Sequence, residues 1–168
     1  MQDTLPIHFA PLQGYTEAIY RNAHDAFFGG VDTYYTPFVR LEKGNFRRRD
    51  VRGIEPENNG VTHLIPQLIA SSAEKAEVIL SLFIEKGYQE VDINLGCPFP
   101  LLAKRHNGSG ILPYPEEVKA LLSIVTRYPQ ISFSVKMRLG WEQPDECLAL
   151  APILNDLPLR QITMHPRL

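Results

Sequence analysis

Cysteine is scarce in this chain: only Cys97 and Cys147 occur among its 168 residues. Two cysteines do not make a disulfide framework or a zinc site, so we expect free thiols in a reducing compartment and no metal. Long apolar runs are also missing, because no run approaches the roughly 20 residues that a membrane-spanning helix needs. The first residues show no basic stretch followed by an apolar core, which excludes a secretory signal. These absences predict a cytoplasmic protein without membrane association.

The composition that remains is typical of a globular domain. Hydrophobic residues make up 44% and charged residues 21% of the chain, which argues against disorder and against fibrous proteins. A length of 168 residues suits one ordinary domain. The net charge of −2 hides one basic segment, 40–52, with six basic and two acidic residues. Such a segment either contacts phosphates or forms a solvated loop.

Short β-rich runs alternate with helical patterns along the chain. The predicted strands are 7–12, 33–39, 64–69, 90–95, 132–139 and 161–165. Helices are predicted over 16–27 and 144–154. A third predicted helix begins with the capping-box pair Ser71 and Glu74 and ends at Gly87, and a fourth begins at Pro115. Residues 44–60 and 96–113 are predicted to be loops.

Repeated strand–helix units predict an α/β fold with a parallel sheet. Six units suit an open doubly wound sheet or part of a (β/α)8 TIM barrel. The dinucleotide glycine fingerprint is missing after the first strand, which weakens the doubly wound alternative. Polar and reactive residues gather instead at the carboxyl ends of several strands, as a barrel active site requires. These residues are Gln67, Asn94, Cys97, Lys136, Arg138 and His165.

Cys97 follows a predicted strand in the segment Val91-Asp92-Ile93-Asn94-Leu95-Gly96-Cys97-Pro98. A thiol presented at a strand end can act as a nucleophile or a general acid, or it can be a buried structural cysteine. Lys136 and Arg138 alternate on one side of another strand. Two cations that face a barrel interior need an anionic or polar ligand.

The segment 92–98 resembles the signature of tRNA-dihydrouridine synthases. Other segments resemble the same family in the same order along the chain, namely 10–17, 66–68, 135–141 and 162–167. The resemblance implies a flavin-dependent (β/α)8 barrel followed by a helical domain. It further implies reduction of a uracil base in tRNA to dihydrouracil, with FMN as cofactor and NADPH as reductant.

The resemblance also implies roles for individual residues. Cys97 would protonate C5 of the uracil while reduced FMN delivers a hydride to C6. Asn94 and Arg138 would contact the substrate. Pro11, Leu12 and Gln13 would line the flavin through backbone groups, and the remaining flavin contacts would come from Gln67, Lys136 and His165.

The chain departs from the family pattern in several places, of which two matter most. Phe99-Pro100-Leu101-Leu102 stands where the family usually has small and basic residues. The last two barrel strands and the helical domain have no counterpart, so we expect 1–168 to be the N-terminal part of a flavin-binding barrel. Such a part would bind FMN weakly, catalyse poorly and could self-associate through its open barrel edge.

Two other functions are compatible with these residues. One is a different flavin barrel that acts on a free small molecule, similar to dihydroorotate or dihydropyrimidine dehydrogenases. The other is a non-catalytic, RNA-binding remnant that has lost its cofactor site. Comparing activity on free uracil with activity on tRNA distinguishes the first alternative from a tRNA-modifying enzyme. Absence of bound flavin in the purified protein would favour the second.

Overall fold

The computed structural model describes residues 5–168 and divides the chain into two compact units, with the boundary between Gln67 and Leu68. The first unit contains the strands β1 (His8–Phe9), β2 (Thr33–Tyr35), β3 (Leu41–Glu42), β4 (Asn45–Phe46) and β5 (Leu64–Ile65). Strands β1, β2 and β5 form a parallel sheet in that order, and β3 pairs with β4 as an antiparallel hairpin.

A buried arginine holds the helical part of the first unit together. Helix α1 (Ala18–Phe27) carries Arg21, which is fully buried. Its guanidinium donates hydrogen bonds to the carbonyl oxygens of Thr16 (2.7 Å) and Gly53 (2.8 Å) and to Oδ1 of Asn59 (2.5 Å). Gly53 belongs to α2 (Arg48–Ile54), so the arginine joins the two helices, and the Gly53 carbonyl also accepts from Asn59 Nδ2 at 3.2 Å.

The prediction of a loop over 44–60 is wrong. This stretch completes the β3–β4 hairpin and contains α2 and a short 3₁₀ turn, Pro56–Asn58. The hairpin closes on Lys43 and Gly44, which both have positive φ (50° and 78°), the backbone that a two-residue hairpin turn requires. The basic residues of this segment outnumber its apolar ones. The helical spacing of Val51 and Ile54, which face the core from α2, was therefore too weak a pattern to predict a helix.

The second unit contains the longer elements. Its strands are β6 (Gln67–Leu68), which begins at the boundary residue, β7 (Glu90–Leu95), β8 (Ser132–Arg138) and β9 (Gln161–His165). Its helices are α3 (Ala73–Glu85), α4 (Pro100–Ala103), α5 (Pro115–Leu122), α6 (Ile124–Arg127) and α7 (Glu146–Asn155), with a 3₁₀ turn at Gly108–Ile111. The strand order is β6-β7-β8-β9, and β8 runs parallel to both β7 and β9.

The strands predicted over 7–12 and 33–39 are shorter in the structure, where they are confined to β1 and β2, and two further boundaries differ from expectation for local reasons. The predicted strand 64–69 is split into β5 and β6 at Pro66, which has no backbone N–H to donate. Helix α3 is capped by Ser72, whose side chain faces the Lys75 backbone N–H at 3.5 Å. Ser71 instead accepts a hydrogen bond from the Lys75 ammonium (2.8 Å), so it is not the cap that its spacing to Glu74 predicts.

The core of the second unit lies on one face of its sheet. Apolar side chains alternate along β7 and β8 and are fully buried, namely Val91, Ile93, Leu95, Phe133, Val135 and Met137. Helices α3 and α5 also bury apolar residues, among them Ile79, Leu80, Phe83, Val118 and Leu121. The predicted α/β class and parallel pairing are therefore confirmed, while residues 5–168 form no closed barrel. Within the same residues, no helix is both long and apolar enough to cross a membrane.

Candidate active site

The face of the second unit's sheet opposite the apolar core is polar. Cα partners on neighbouring parallel strands carry their side chains on the same face. Across β7, β8 and β9 the register therefore forms the rows Asp92–Ser134–Gln161, Asn94–Lys136–Thr163 and Arg138–His165. We call these eight residues the polar face. It brings together four of the predicted site residues, Asn94, Lys136, Arg138 and His165, at the carboxyl ends of the strands.

Cys97 lies just beyond β7, in a turn that Asn94 organises. The Oδ1 atom of Asn94 accepts hydrogen bonds from the backbone N–H groups of Gly96 (3.0 Å) and Cys97 (2.9 Å). Arg138 Nε donates to the Gly96 carbonyl at 2.9 Å, and its guanidinium also donates to the Leu168 carbonyl. Asn94 and Arg138, both predicted to contact substrate, therefore also fix the backbone that presents the half-buried, free Cys97 thiol.

Gly96 is favoured by close packing and not by an unusual backbone angle. A Cβ atom at this position would lie 3.3 Å from the carbonyl carbon and 3.4 Å from the Cα of Met137. The turn before Cys97 therefore passes closer to β8 than most side chains allow.

Lys136 is a half-buried cation in the middle of the polar face. Burial lowers the pKa of Lys136, and repulsion from Arg138 lowers it further, whereas Asp92 and Cys97 act in the opposite direction. Charge in this position is costly without a ligand, so the site suits a polar or anionic group beside Lys136.

His165 lies at the end of β9, where it is the Cα partner of Arg138 on the neighbouring strand. Partial burial lowers the pKa of His165, and Lys136, Arg138 and Arg167 lower it further. The lowered pKa favours the neutral imidazole, which can both donate and accept hydrogen bonds.

The remaining predicted residues belong to the first unit. The Leu12 N–H donates to Thr16 Oγ1 (2.8 Å), and the Leu12 carbonyl accepts from the N–H groups of Tyr15 (3.0 Å) and Thr16 (3.1 Å). These bonds occupy backbone groups that were expected to line a flavin. Gln13 has a buried Oε1 atom without a hydrogen-bond partner among residues 5–168, so its side chain is the better candidate for a polar ligand contact. Pro11 is half-buried beside them.

Gln67 is buried in the first unit. Its backbone N–H donates to Thr36 Oγ1 at 3.0 Å, and its carbonyl accepts from the Val39 N–H at 2.8 Å. These bonds fix the backbone position of Gln67, while its role toward a cofactor stays a prediction.

Carboxylates balance only part of the basic segment 40–52. Glu42 lies 3.7 Å from both Arg40 and Arg47, and Glu17 lies 2.9 Å from Arg49. The other cations of the segment form no ion pair within the described part of the chain, and all three are exposed; these are Lys43, Arg48 and Arg52.

Sequence reasoning missed two parts of the site. Ser134 donates to Asp92 Oδ1 at 2.5 Å, and both residues are buried at the base of the polar face. Strand alternation through Asp92 and Asn94 could have revealed that pair. Ser109, which bonds to Cys97, carries no periodic signal beyond its flanking glycines. From Leu5 onward, no cluster of three His, Cys, Asp or Glu side chains is placed to hold a metal ion.

Known proteins resemble the chain along most of its length. The family model for dihydrouridine synthase matches residues 8–168. The chain is 28% identical over 165 residues to a probable tRNA-dihydrouridine synthase 1 of Synechocystis sp., covering 94% of this chain and 44% of that protein. It is 24% identical over 162 residues to tRNA-dihydrouridine synthase B of Pasteurella multocida, covering 96% of this chain and 48% of the relative. The chain thus spans about half the length of these relatives.

Proposed function

The chain belongs to the dihydrouridine synthase family, and from that premise we propose that it takes part in reducing uridine in tRNA to 5,6-dihydrouridine. The observation that carries the proposal is the position of Cys97 at the end of β7, beside a polar face that contains Lys136 and Arg138. A proton donor and fixed cations at one end of a parallel sheet suit the reduction of an electron-poor ring.

Cys97 is the proposed general acid. FMN, reduced by NADPH, supplies when bound the hydride that C6 of the base accepts. The thiol of Cys97 gives its proton to C5, so the C5–C6 double bond is saturated and a thiolate is left, which solvent protonates again. Asn94 holds the Cys97 backbone and thereby limits the directions that the thiol can take.

Each unit, taken by itself, contains residues whose chemistry suits a contact with a flavin. Lys136 is a half-buried cation whose burial favours a nearby electron-rich ligand. Gln13 offers a buried amide oxygen that lacks a partner among residues 5–168 and can accept a ring N–H. Gln67 and neutral His165 are proposed as further polar contacts, with Pro11 and Leu12 beside Gln13.

The proposed macromolecular partner is tRNA. Lys43, Arg48 and Arg52 are exposed cations without a carboxylate partner in the described structure, and they lie on one hairpin and the helix that follows it. Cations of this kind bind phosphates and release counterions. We also propose that the chain supplies part of a (β/α)8 barrel and acts in the cytoplasm. The β9 edge, where Ile162 and Met164 are 41% exposed, is the proposed place of self-association.

The function is tested by incubating the chain with FMN, NADPH and unmodified tRNA and measuring dihydrouridine by mass spectrometry. Cys97→Ala is expected to lower turnover by roughly 10²–10⁴, the usual contribution of a general acid. Cys147→Ala is the matched control, because Cys147 is also a half-buried free thiol. Equal activity of the two variants would contradict the role of Cys97. Reduction of free uracil in preference to tRNA would favour a small-molecule enzyme.

The cofactor proposal is tested separately, by titrating the chain with FMN and following flavin fluorescence. Lys136→Met retains the length of the side chain but removes its charge. Loss of one charge-assisted hydrogen bond is expected to weaken FMN binding roughly 10- to 100-fold. Lys119→Met, at an exposed position of α5, is expected to bind like the unmodified chain. The same affinity in both variants would exclude a contact between Lys136 and the flavin.

The tRNA contact is tested through its salt dependence. Removing one cation that binds a phosphate lowers the slope of log K against log salt by about 0.9, so Ala replacements at Lys43, Arg48 and Arg52 together should lower it by roughly 2–3. Arg49→Ala, which removes a cation already paired with Glu17, should leave the slope nearly unchanged. Similar slopes for both variants would show that the unpaired cations do not touch tRNA.

A further inference from the structure

Ser109 is fully buried and lies against the backbone of Cys97. Its N–H donates to the Cys97 carbonyl at 3.0 Å, and its hydroxyl donates to the same oxygen at 3.1 Å. Two donors from one residue therefore saturate the Cys97 carbonyl, although the two residues are separated by twelve positions in the chain.

Gly108 allows this approach. Its φ is +61°, and a Cβ atom there would lie 2.5 Å from the Cys97 carbonyl oxygen and 2.9 Å from both its N and Cβ atoms. Only glycine permits such close contact, so the chain at Gly108 packs directly on the residue that carries the thiol.

The other side of Cys97 is held as well. Its N–H donates to Asn94 Oδ1 at 2.9 Å, and the preceding carbonyl, of Gly96, accepts from Arg138 Nε at 2.9 Å. The peptide groups on both sides of the Cys97 Cα atom are thus fixed from β7, β8 and the 3₁₀ turn. What remains free is rotation of the side chain itself.

We propose that Ser109 is a positioning residue for Cys97, through the hydrogen bond of its hydroxyl to the Cys97 carbonyl. The proposal rests on the role of Cys97 in the proposed function. Ser109 does not touch the reacting atoms. It restricts the backbone from which the thiol projects, so its loss widens the range of thiol positions and exposes more of the sulfur.

The test measures alkylation of the 168-residue chain by iodoacetamide, with Cys97 and Cys147 followed separately by peptide mass spectrometry. Cys147 is an internal reference within the same sample. Ser109→Ala removes one neutral hydrogen bond, so the ratio of Cys97 to Cys147 labelling is expected to rise roughly fivefold. Ser123→Ala is the matched control, because the Ser123 hydroxyl also donates to a backbone carbonyl, that of Ala120 (2.7 Å), but at the end of α5. It should leave the ratio unchanged.

An unchanged ratio of Cys97 to Cys147 labelling in Ser109→Ala overturns the proposal. This holds also where labelling of both cysteines rises equally, because such a rise reports only a general loosening of the fold. If Ser109→Ala does not fold, amide exchange in the unmodified chain decides: the Ser109 N–H should be protected, and exchange at the rate of an exposed loop amide contradicts the arrangement. In the reduction assay Ser109→Ala should lower kcat roughly fivefold and leave KM for tRNA unchanged. Alkylation and exchange need neither tRNA nor flavin, so failure of the proposed function would not be mistaken for failure of this role.

Discussion

The two faces of the sheet in the second unit are built from the same strands but have opposite properties. On one face, every side chain that β7 and β8 contribute from Val91 to Leu95 and from Phe133 to Met137 is apolar and fully buried. On the polar face, the alternate residues include a buried carboxylate, Asp92, and a half-buried cation, Lys136. Because side chains alternate along a strand, the odd-numbered residues of β7 and β8 pack in the core and stabilise the fold, while the even-numbered residues form the polar face. The comparison predicts that substitutions on the two faces affect different measurements.

The largest effect on stability is expected on the apolar face. Phe133→Ala removes a fully buried ring and should lower the free energy of unfolding by about 3–5 kcal/mol. Urea unfolding followed by circular dichroism measures the change. Leu148→Ala, at a residue 69% exposed on α7, should change stability by less than about 0.5 kcal/mol. A small loss for Phe133→Ala would mean that this face does not carry the core.

A smaller effect is expected at the base of the polar face. Ser134→Ala removes a buried donor to Asp92, and loss of a hydrogen bond to a charged group should cost about 1.5–3 kcal/mol. Ser81→Ala removes an exposed hydroxyl that bonds within α3 and should cost much less in the same urea experiment. Equal losses of stability in the two variants would show that the buried hydrogen bond between Ser134 and Asp92 stabilises the chain no more than an exposed one does.

The smallest effect is electrostatic. Because the pKa of His165 in the folded chain is lowered from the ordinary 6.5, the unfolded chain takes up this proton first as the pH falls. The contribution of His165 to stability is therefore complete above pH 6.5. It declines as the pH falls through 6.5 and levels off below the folded pKa.

Nuclear magnetic resonance titration of the His165 ring measures that pKa directly. Lys136→Met should move it upward toward 6.5, since Lys136 is one of the charges that lower it. Lys119→Met, on the surface of α5, should leave it unchanged. If the His165 pKa does not change in Lys136→Met, the two side chains do not interact electrostatically. Lys136 and His165 would then act independently within the polar face.

The sequence was most informative where a pattern repeats along the chain. The β-rich segments 90–95 and 132–139 predicted β7 and β8, and strand alternation predicted the shared side of Lys136 and Arg138. The same reasoning missed α2, whose two apolar positions are separated by basic residues. It also missed Ser109, because a contact between residues 97 and 109 depends on how the loop folds back and leaves no periodic trace in either segment. The roles of Gln13 and Gln67 toward a cofactor stay predictions.

The contact between Ser109 and Cys97 has a consequence for how this loop can change in evolution. Gly108 and Ser109 bring the end of the segment 98–108 back to Cys97, so the segment is closed at its base. Within the segment, Phe99 and Leu101 are 51% and 65% exposed, whereas Ala103 is buried. Exposed positions such as Phe99 and Leu101 can therefore change while the contacts that hold the two ends of the segment on Cys97 stay the same.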